Sequence, residues 1–359
     1  LNNLSLKIFF MNGAWRPYPM GQTQRLSISA QTNGTYYKAF AISFTDPWMG
    51  GRKPNSFTIS AHYSDENNAY YAWQKGTRYF RTAGVAAGLG KRLDWPDPYF
   101  TFYAEASYER YMLKDWNTFV LKNGAANLLS IRLVLGRNSV DQPIYPRRGS
   151  DFSVSVQLTP PYSLWDGKDY KSTALSEQER YNWIEFHKWM LKGQWFTPLT
   201  RNGNLVLMAR AEMGYLGHYN KNKVSPFERF EVGGDGMTGY NMYGIDIISM
   251  RGYDDGALDP VGSNYSCAYN KYTMELRYPL LLKGQTNIYV LGFLEGGNGF
   301  TSWKEFSPFK IKRSAGIGVR LFLPVVGMVG VDWGWGFDPA AGQTKRSGSH
   351  IHFTMGMQF

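Results

Sequence analysis

The sequence predicts an all-β protein, specifically a transmembrane antiparallel β-barrel, and three observations lead to this prediction. Segments in which apolar and polar residues alternate recur along the whole chain of 359 residues. Aromatic residues make up 16% of the chain and gather near the ends of these segments, where a barrel meets the two lipid interfaces. The final segment also ends on an aromatic residue, Phe359.

Alternation with a period of two places successive side chains on opposite faces of a strand. The final segment shows it most clearly, because Ile351, Phe353 and Met355 are apolar and the residues between them are polar. Turn pairs such as Asn33 and Gly34 separate the segments.

We predict about fifteen strands from this pattern. They cover residues 2–11, 23–32, 35–46, 55–64, 77–90, 99–112, 127–138, 150–159, 181–196, 203–217, 268–278, 286–297, 311–322, 326–337 and 350–359. Residues 176–190 fit either a helix or a loop that leads into a long strand.

Two all-β architectures agree with this pattern. A soluble sandwich or propeller buries the apolar face in a protein core, whereas a membrane barrel turns that face to lipid and its polar face to a wet lumen. The polar faces are rich in Ser, Thr, Gln, Arg, Glu and Gly, and aromatic residues such as Trp333, Trp335 and Phe337 stand at strand ends. Both features favour the barrel. Mean hydropathy is −0.39, and no apolar run reaches the roughly 18 residues of a transmembrane helix.

The composition argues against several functional classes. The net charge is +11, but the Lys and Arg residues are scattered, so we expect no nucleic-acid binding. The single cysteine, Cys267, cannot form an internal disulfide. The sequence has no G-x-S-x-G nucleophile elbow, no P-loop and no G-x-G-x-x-G between a strand and a helix, so we expect no enzymatic activity and no cofactor.

Histidine and aspartate residues offer two candidate metal sites, and the sequence argues against both. His350 and His352 share one face of the last strand, but no acidic or Cys residue stands beside them, so we expect lumen-facing imidazoles and no metal. Asp254, Asp255 and Asp259 lack the spacing of an EF-hand, so we expect polar loop tips.

Four stretches carry a resemblance to a known family. Residues 34–51 resemble an early strand and its turn, and residues 145–150 resemble a P-x-R-G sequence before a mid-barrel strand. The motif Met250, Arg251, Gly252 and Tyr253 resembles V-R-G-F/Y of a long sixth extracellular loop. The fourth stretch is residues 314–320. In order and spacing, over essentially the whole chain, they resemble the barrel domain of the BamA family of outer-membrane β-barrel assembly factors, in its Bacteroidetes-type form.

The resemblance implies a barrel of sixteen strands, about fifteen of them visible here, with the sixth loop folded into the lumen. Residues 1–359 are then one multi-pass barrel domain of the bacterial outer membrane. The first strand and the POTRA domains that precede it in the family are expected to be missing from this sequence. The spacer between Gly234 and Arg251 is longer than is usual in the family.

In this family the loop arginine contacts acidic residues on the inner barrel wall, and two residues match those acids. Glu275 shares a strand face with Thr273 and Arg277, so it is expected to point inward, and Glu295 matches the acid of the next strand. An arginine can bridge two carboxylates because its planar fork offers five donors. The alternative is a solvated loop arginine.

The resemblance also implies a function. The seam between the first and last strands opens laterally, and its edge templates incoming strands, so that β-barrel proteins are assembled and inserted into the outer membrane. Expected partners are unfolded outer-membrane protein clients, accessory lipoproteins of the assembly complex, and outer-membrane lipid and lipopolysaccharide. The expected seam residues are Ile351, Phe353, Met355, Gly356, Met357 and Phe359. Gly356 is expected to weaken the strand and to permit a kink.

Two other functions remain open at this point. One is a two-partner secretion translocator of the same superfamily, and the other is a passive outer-membrane channel. A passive channel is not expected to anchor a loop arginine on acidic residues.

Overall fold

The structure is a computed structural model that describes residues 1–8, 11, 20–21, 23–51, 54–69, 76–172, 174–237, 244–262, 265–283, 286–324 and 327–356. Strands dominate it. They are β1 (Arg25–Asn33), β2 (Tyr37–Asp46), β3 (Asn55–Asn67), β4 (Tyr79–Arg92), β5 (Phe100–Lys114), β6 (Gly124–Asn138), β7 (Gly149–Leu158), β8 (His187–Pro198), β9 (Val206–Gly217), β10 (Phe230–Val232), β11 (Asp246–Ile248), β12 (Ala268–Lys283), β13 (Thr286–Phe300), β14 (Lys312–Leu323), β15 (Gly327–Pro339) and β16 (Arg346–Met355).

Helical structure in the described residues is limited to short pieces. Two α-helices, α1 (Tyr162–Trp165) and α2 (Glu177–Tyr181), lie between β7 and β8, and single 3-10 turns cover Leu6–Ile8 and Trp303–Glu305. No helix in the described part of the chain has the length and apolar composition needed to cross a membrane.

Fourteen strands form one sheet in the order β1 to β9 followed by β12 to β16. The ladders from β1 to β5, between β9 and β12, and from β12 to β16 are antiparallel. The two remaining strands, β10 and β11, pair with each other in parallel. Most neighbours in the sheet are joined by short connections, whereas long ones join β7 to β8 and β9 to β12.

The chain divides into two compact units. The first unit comprises Leu1–Leu135, Ser155–His187 and His218–Pro226, and the second comprises Gly136–Val154, Lys188–Gly217 and Phe227–Phe359. The second unit has a buried cluster of aromatic and aliphatic side chains. It consists of Tyr145, Phe196, Val206, Met208, Tyr289, Leu291, Phe293 and Met328.

Strand β15 of the second unit exposes an apolar face and buries the opposite face, which carries Asp332 and several glycines. In β15, Val331, Trp333 and Trp335 are 45%, 46% and 41% exposed, whereas Asp332 between them is fully buried. A water-soluble sandwich would show the opposite arrangement. The observed one is expected where the apolar face meets lipid.

Fourteen of the predicted segments coincide with long strands, and the first differs. Residues 2–11 were expected to be a strand, but Leu6–Ile8 form a 3-10 turn, while residues 9–10 lie outside the described part of the chain. The stretch 176–190 divides between the two alternatives. Ser176 caps α2 through a capping box with Glu179, and β8 begins only at His187.

The last strand is shorter at its end than its alternation predicted. The segment was expected to run over 350–359, but β16 starts at Arg346 and stops at Met355. Gly356 has a φ of +101°, which glycine adopts without strain and other residues avoid, so the backbone leaves the strand there. Residues 357–359 lie outside the described residues.

Candidate functional site

The loop between β11 and β12 belongs to the second unit and packs against other segments of that unit. Met250 donates its backbone N–H to the carbonyl of Gly234 over 2.8 Å, and Leu258 donates to that of Val232 over 3.0 Å. The side chains of Met250 and Tyr253 are fully buried. We call residues 249–262 the docked loop, since its main chain and its side chains are both held in place.

Arg251 lies at the centre of this loop and contacts carboxylates from three strands. Its Nη2 lies 2.7 Å from Oε1 of Glu275 in β12 and 2.7 Å from Oε1 of Glu295 in β13. Its Nη1 lies 3.6 Å from Oδ1 of Asp332 in β15. The backbone N–H of Arg251 also donates to Oε2 of Glu295 over 2.9 Å. The arginine therefore joins three strands of the sheet to the loop.

Each of these carboxylates has a second partner. Glu275 accepts from Arg277 over 2.7 Å, and Asp332 accepts from Arg320 through both carboxylate oxygens over 2.8 and 2.7 Å. Glu295 accepts from the Thr273 hydroxyl over 3.1 Å and lies 3.9 Å from Lys271. We call these residues, together with Arg251, the arginine cluster. The extra donors compensate for removing several carboxylates from water.

Burial and the neighbouring carboxylates shift the pKa of Arg251 in opposite directions. Burial alone would lower the pKa of the Arg251 guanidinium, but Glu295, Glu275 and Asp332 raise it above its ordinary value. The guanidinium carbon also lies 3.7 Å from the centre of the Phe293 ring, which is a cation–π contact. Arg251 therefore stays charged, and its contacts are electrostatic and aromatic at once.

Gly252 allows the loop to approach β15 more closely than any other residue type would permit. Its φ is +87°, and a Cβ there would lie 2.9 Å from both the backbone nitrogen of Gly336 and the Cβ of Ser314. A Cβ on Gly334 would in turn lie 2.8 Å from the nitrogen of Gly252. The loop backbone thus lies directly on glycines of the strand, and both sides of the contact need glycine.

Two further hydrogen bonds fasten the motif to neighbouring strands. The N–H of Gly252 donates to Nε2 of His352 in β16 over 2.8 Å, and the hydroxyl of Tyr253 donates to the carbonyl of Arg313 in β14 over 2.8 Å. The docked loop therefore contacts every strand from β12 to β16.

The expected roles of the histidines and aspartates need correction. Carboxylates do stand beside the two imidazoles, because Asp254 Oδ1 lies 3.2 Å from His350 Nδ1 and Asp235 Oδ2 lies 3.9 Å from His352 Nδ1. Asp259 is not a polar loop tip. It is 5% exposed, accepts from Ser266 and from the N–H of Val232, and burial raises its pKa to about 8. Within the described ranges, no group of three His, Cys, Asp or Glu side chains is arranged to hold a metal ion.

The expected seam residues of β16 project from its outer face. Ile351, Phe353 and Met355 are 64%, 53% and 55% exposed, and β16 is the last strand in the sheet order. Gly356, also expected at the seam, directly follows the end of β16, and the remaining two expected residues, Met357 and Phe359, lie outside the described residues.

Sequence reasoning missed three members of the site. Asp332 contributes a third carboxylate to Arg251, His352 accepts from the loop backbone, and Asp235 accepts the backbone N–H of Phe353 over 2.9 Å. The inward direction of Asp332 and His352 follows from strand alternation. That they meet the loop depends on the path of the loop, which has no sequence signal.

Comparisons with known proteins show the family and the fold of the chain. Residues 20–359 match the model of the Omp85 superfamily domain. The chain is 23% identical over 258 residues to outer membrane protein assembly factor BamA of Neisseria meningitidis serogroup B (strain ATCC BAA-335 / MC58), which covers 66% of this chain. It spans only 27% of that relative's length.

Solved structures show the same fold. The crystal structure of BamA from Haemophilus ducreyi lacking POTRA domains 1-3 superimposes with a TM-score of 0.64 at 16% identity, covering 93% of this chain and 64% of that one. CdiB from Escherichia coli superimposes with a TM-score of 0.52 at 13% identity, covering 88% and 52%. The fold is thus that of an outer-membrane β-barrel of Gram-negative bacteria. With the family model matching nearly the whole sequence, the chain belongs to the Omp85 superfamily.

Proposed function

We propose that this chain is the membrane domain of a factor that assembles β-barrel proteins and inserts them into the outer membrane. The observation that supports this most is the docked loop, which Arg251 holds to Glu275, Glu295 and Asp332. A passive channel does not need a loop tied by one cation to three strands. The likeness to two proteins named BamA points the same way.

The mechanism is mechanical. The arginine cluster and the Gly252 contact make β12 to β16 a stiff wall, with the loop folded on its lumenal side. Movement is therefore concentrated at the end of the wall, where β16 separates laterally from the first strand of the barrel. The released edge pairs with a strand of the incoming protein through main-chain hydrogen bonds, which is β-augmentation.

The energy for insertion comes from the client. Each new strand satisfies its backbone groups on the edge, and its apolar side chains then enter lipid, as every membrane-spanning strand requires. The proposal includes no covalent step, cofactor or catalytic residue. Its partners are unfolded outer-membrane proteins, the accessory lipoproteins of an assembly complex, and the lipid and lipopolysaccharide of the outer membrane.

A second candidate is a two-partner secretion translocator of the same superfamily. The likeness to CdiB from Escherichia coli keeps this candidate open. A translocator passes a polypeptide through its lumen, so it would need the docked loop to leave, whereas an insertase needs the seam to open. The two candidates therefore differ in which element must move.

A disulfide lock at the seam tests the choice. In the full-length protein, with Cys267 changed to Ala to remove the native thiol, a cysteine replacing Phe353 or Met355 is paired with one in the first strand of the barrel. Oxidation should stop the insertion of client barrels while the protein stays folded, and reductant should restore insertion. Full insertion with a completely locked seam would contradict the lateral mechanism.

A lock within the wall provides the matched control. Here one cysteine replaces Val319 and another replaces Val331, which stand opposite each other in β14 and β15 on the exposed face, away from the docked loop. This bond ties two strands of the wall together without touching the seam. Insertion should continue, and a loss of insertion equal to that of the seam lock would show that the effect is not specific to the seam.

A further inference from the structure

Asp235 makes an unusual contact with the last strand. It stands in a turn of glycines, where Gly234 and Gly236 have φ values of +67° and +74°. One carboxylate oxygen accepts the N–H of Met237 over 2.9 Å within the turn, and the other accepts the N–H of Phe353 in β16 over 2.9 Å. Both oxygens are therefore engaged, and the side chain has a defined direction.

The register of β15 and β16 shows which edge of the strand this amide belongs to. Gly356 donates its N–H to the carbonyl of Met328 in the strand before it. Hydrogen-bonded and non-hydrogen-bonded pairs alternate along an antiparallel ladder, and Phe353 stands opposite Val331, three pairs along. Phe353 is thus in a non-hydrogen-bonded pair, and its N–H and C=O point away from β15.

That edge is the one on which a further strand would pair. β16 is the last strand of the sheet order, and the amide of Phe353 is one of the main-chain donors on its far side. The carboxylate of Asp235 stands where the carbonyl oxygen of a neighbouring strand would lie. A charged oxygen is a stronger acceptor for an N–H than a neutral carbonyl.

We propose that Asp235 is a built-in competitor for strand pairing, which holds the edge of β16 until an extended polypeptide segment displaces it at the amide of Phe353. This inference rests on the proposed function, because it names the residue that guards the templating edge. The partner is recognised through its backbone, so its sequence matters little at this position. Its outward residues should be apolar, to continue the exposed face formed by Ile351, Phe353 and Met355.

The contact of Asp235 with β16 lies next to a contact that the docked loop makes with the same strand. His352, the neighbour of Phe353, accepts the N–H of Gly252 over 2.8 Å, and its other nitrogen lies 3.9 Å from Asp235. Both contacts come from segments of the second unit that precede β12, and both act on successive residues of one strand. Displacing Asp235 therefore frees one of two neighbouring attachments of β16, and the other remains.

Hydrogen–deuterium exchange on the folded full-length protein without client tests whether the carboxylate protects this amide. In Asp235→Ala, exchange in peptides that contain Phe353 should rise roughly tenfold, the factor expected for losing a hydrogen bond to a charged acceptor. Asp235→Asn keeps the shape of the side chain but has one acceptor oxygen for two amides, so exchange should rise there too. Unchanged exchange in both variants would overturn the proposal.

Asp254→Ala is the matched control for this experiment. Asp254 is an acidic residue of the docked loop that also contacts β16, but it reaches the side chain of His350 and not a backbone amide. Its loss should leave exchange at Phe353 at the wild-type rate. Exchange that rises equally in both alanine variants would mean that loop charge in general, and not the Asp235 contact, protects the strand.

Site-specific crosslinking then tests the partner. A photoreactive residue replacing Met355 in the full-length protein should crosslink to a client strand faster in Asp235→Ala than in the wild type. If the wild type crosslinks and the variant is no faster, the competitor idea fails while the proposed function stands. If neither crosslinks to clients while both insert them, the lateral templating mechanism and this inference fail together, whereas insertion as the function stands.

Discussion

Arg251→Ala is the change that tests the candidate site most directly. The substitution removes a guanidinium whose side chain is 9% exposed, in contact with Glu275, Glu295 and Asp332 whose side chains are 6%, 2% and 0% exposed. It also removes the contact with the Phe293 ring. The loop backbone keeps its hydrogen bonds, so the protein should still fold.

The expected loss of stability depends on the cationic partners that each carboxylate keeps after the substitution. Glu275 retains Arg277 at 2.7 Å and Asp332 retains Arg320 at 2.7 Å, so both stay paired. Glu295 retains Lys271 at 3.9 Å and is the carboxylate left most poorly paired. Breaking a buried pair costs about 3–5 kcal/mol, and the lower end applies because two of the three acids keep close partners. Losing the aromatic contact adds about 1 kcal/mol.

We therefore expect Arg251→Ala to lower the free energy of unfolding by about 4 kcal/mol. Urea unfolding of the purified barrel, followed by tryptophan fluorescence, measures this quantity by linear extrapolation. Glu275→Gln and Glu295→Gln should each cost less, because the arginine keeps two other acids. Arg251→Lys should rescue poorly, since an ammonium cannot reproduce the planar fork. The exposed arginine Arg313, paired with Asp338 at 3.0 Å, is the control, and its change to Ala should have little effect.

A double-mutant cycle tests whether the contact between Arg251 and Glu295 contributes to the free energy of unfolding. Arg251→Ala combined with Glu295→Gln should cost clearly less than the sum of the two single changes. Coupling below about 0.5 kcal/mol would refute the reasoning, because contacting residues in one network are expected to couple by more than that. Arg251 would then behave as a surface loop charge.

Three other outcomes are expected. Gly252→Ala should release the docked loop and make it sensitive to protease near Tyr253, because the new Cβ meets the nitrogen of Gly336 at 2.9 Å. Gly348→Ala is the control, since its φ is +82° and the space around it is open, so it measures backbone strain alone. This control should leave the loop protected. Burial raises the pKa of Asp259 to about 8, so the folded state holds its proton more tightly than the unfolded state, and the associated stability is complete below pH 3.8 and is lost as the pH rises toward 8. Asp259→Asn should remove that slope, and equal pH dependence of unfolding in both proteins would contradict the assignment. The folded protein should also migrate differently in SDS gels before and after boiling; identical mobility would count against the barrel.

The strands could be predicted from the sequence because alternation is a local property of each strand. Fourteen predicted segments coincide with long strands, and the parity of residues in β12 indicates the buried face on which Glu275 lies. Elements without a period were missed, as β10 and β11 were, or left open between helix and loop, as α2 was. β10 and β11 are three residues each, too short for alternation to show, and α2 depends on a capping box rather than on a helical stripe.

The composition of the site was decided only by the tertiary structure. The parity of Asp332 and His352 makes them inward residues, but nothing local says that the docked loop passes above them. Asp235 reaches an amide 118 positions along the chain, and Asp259 looks like a loop charge in sequence yet is buried. Strand alternation determines the face on which a side chain lies, and it depends only on a residue and its immediate neighbours in the sequence. The partners on that face are set by a loop folding back across five strands, which depends on contacts between residues far apart in the sequence.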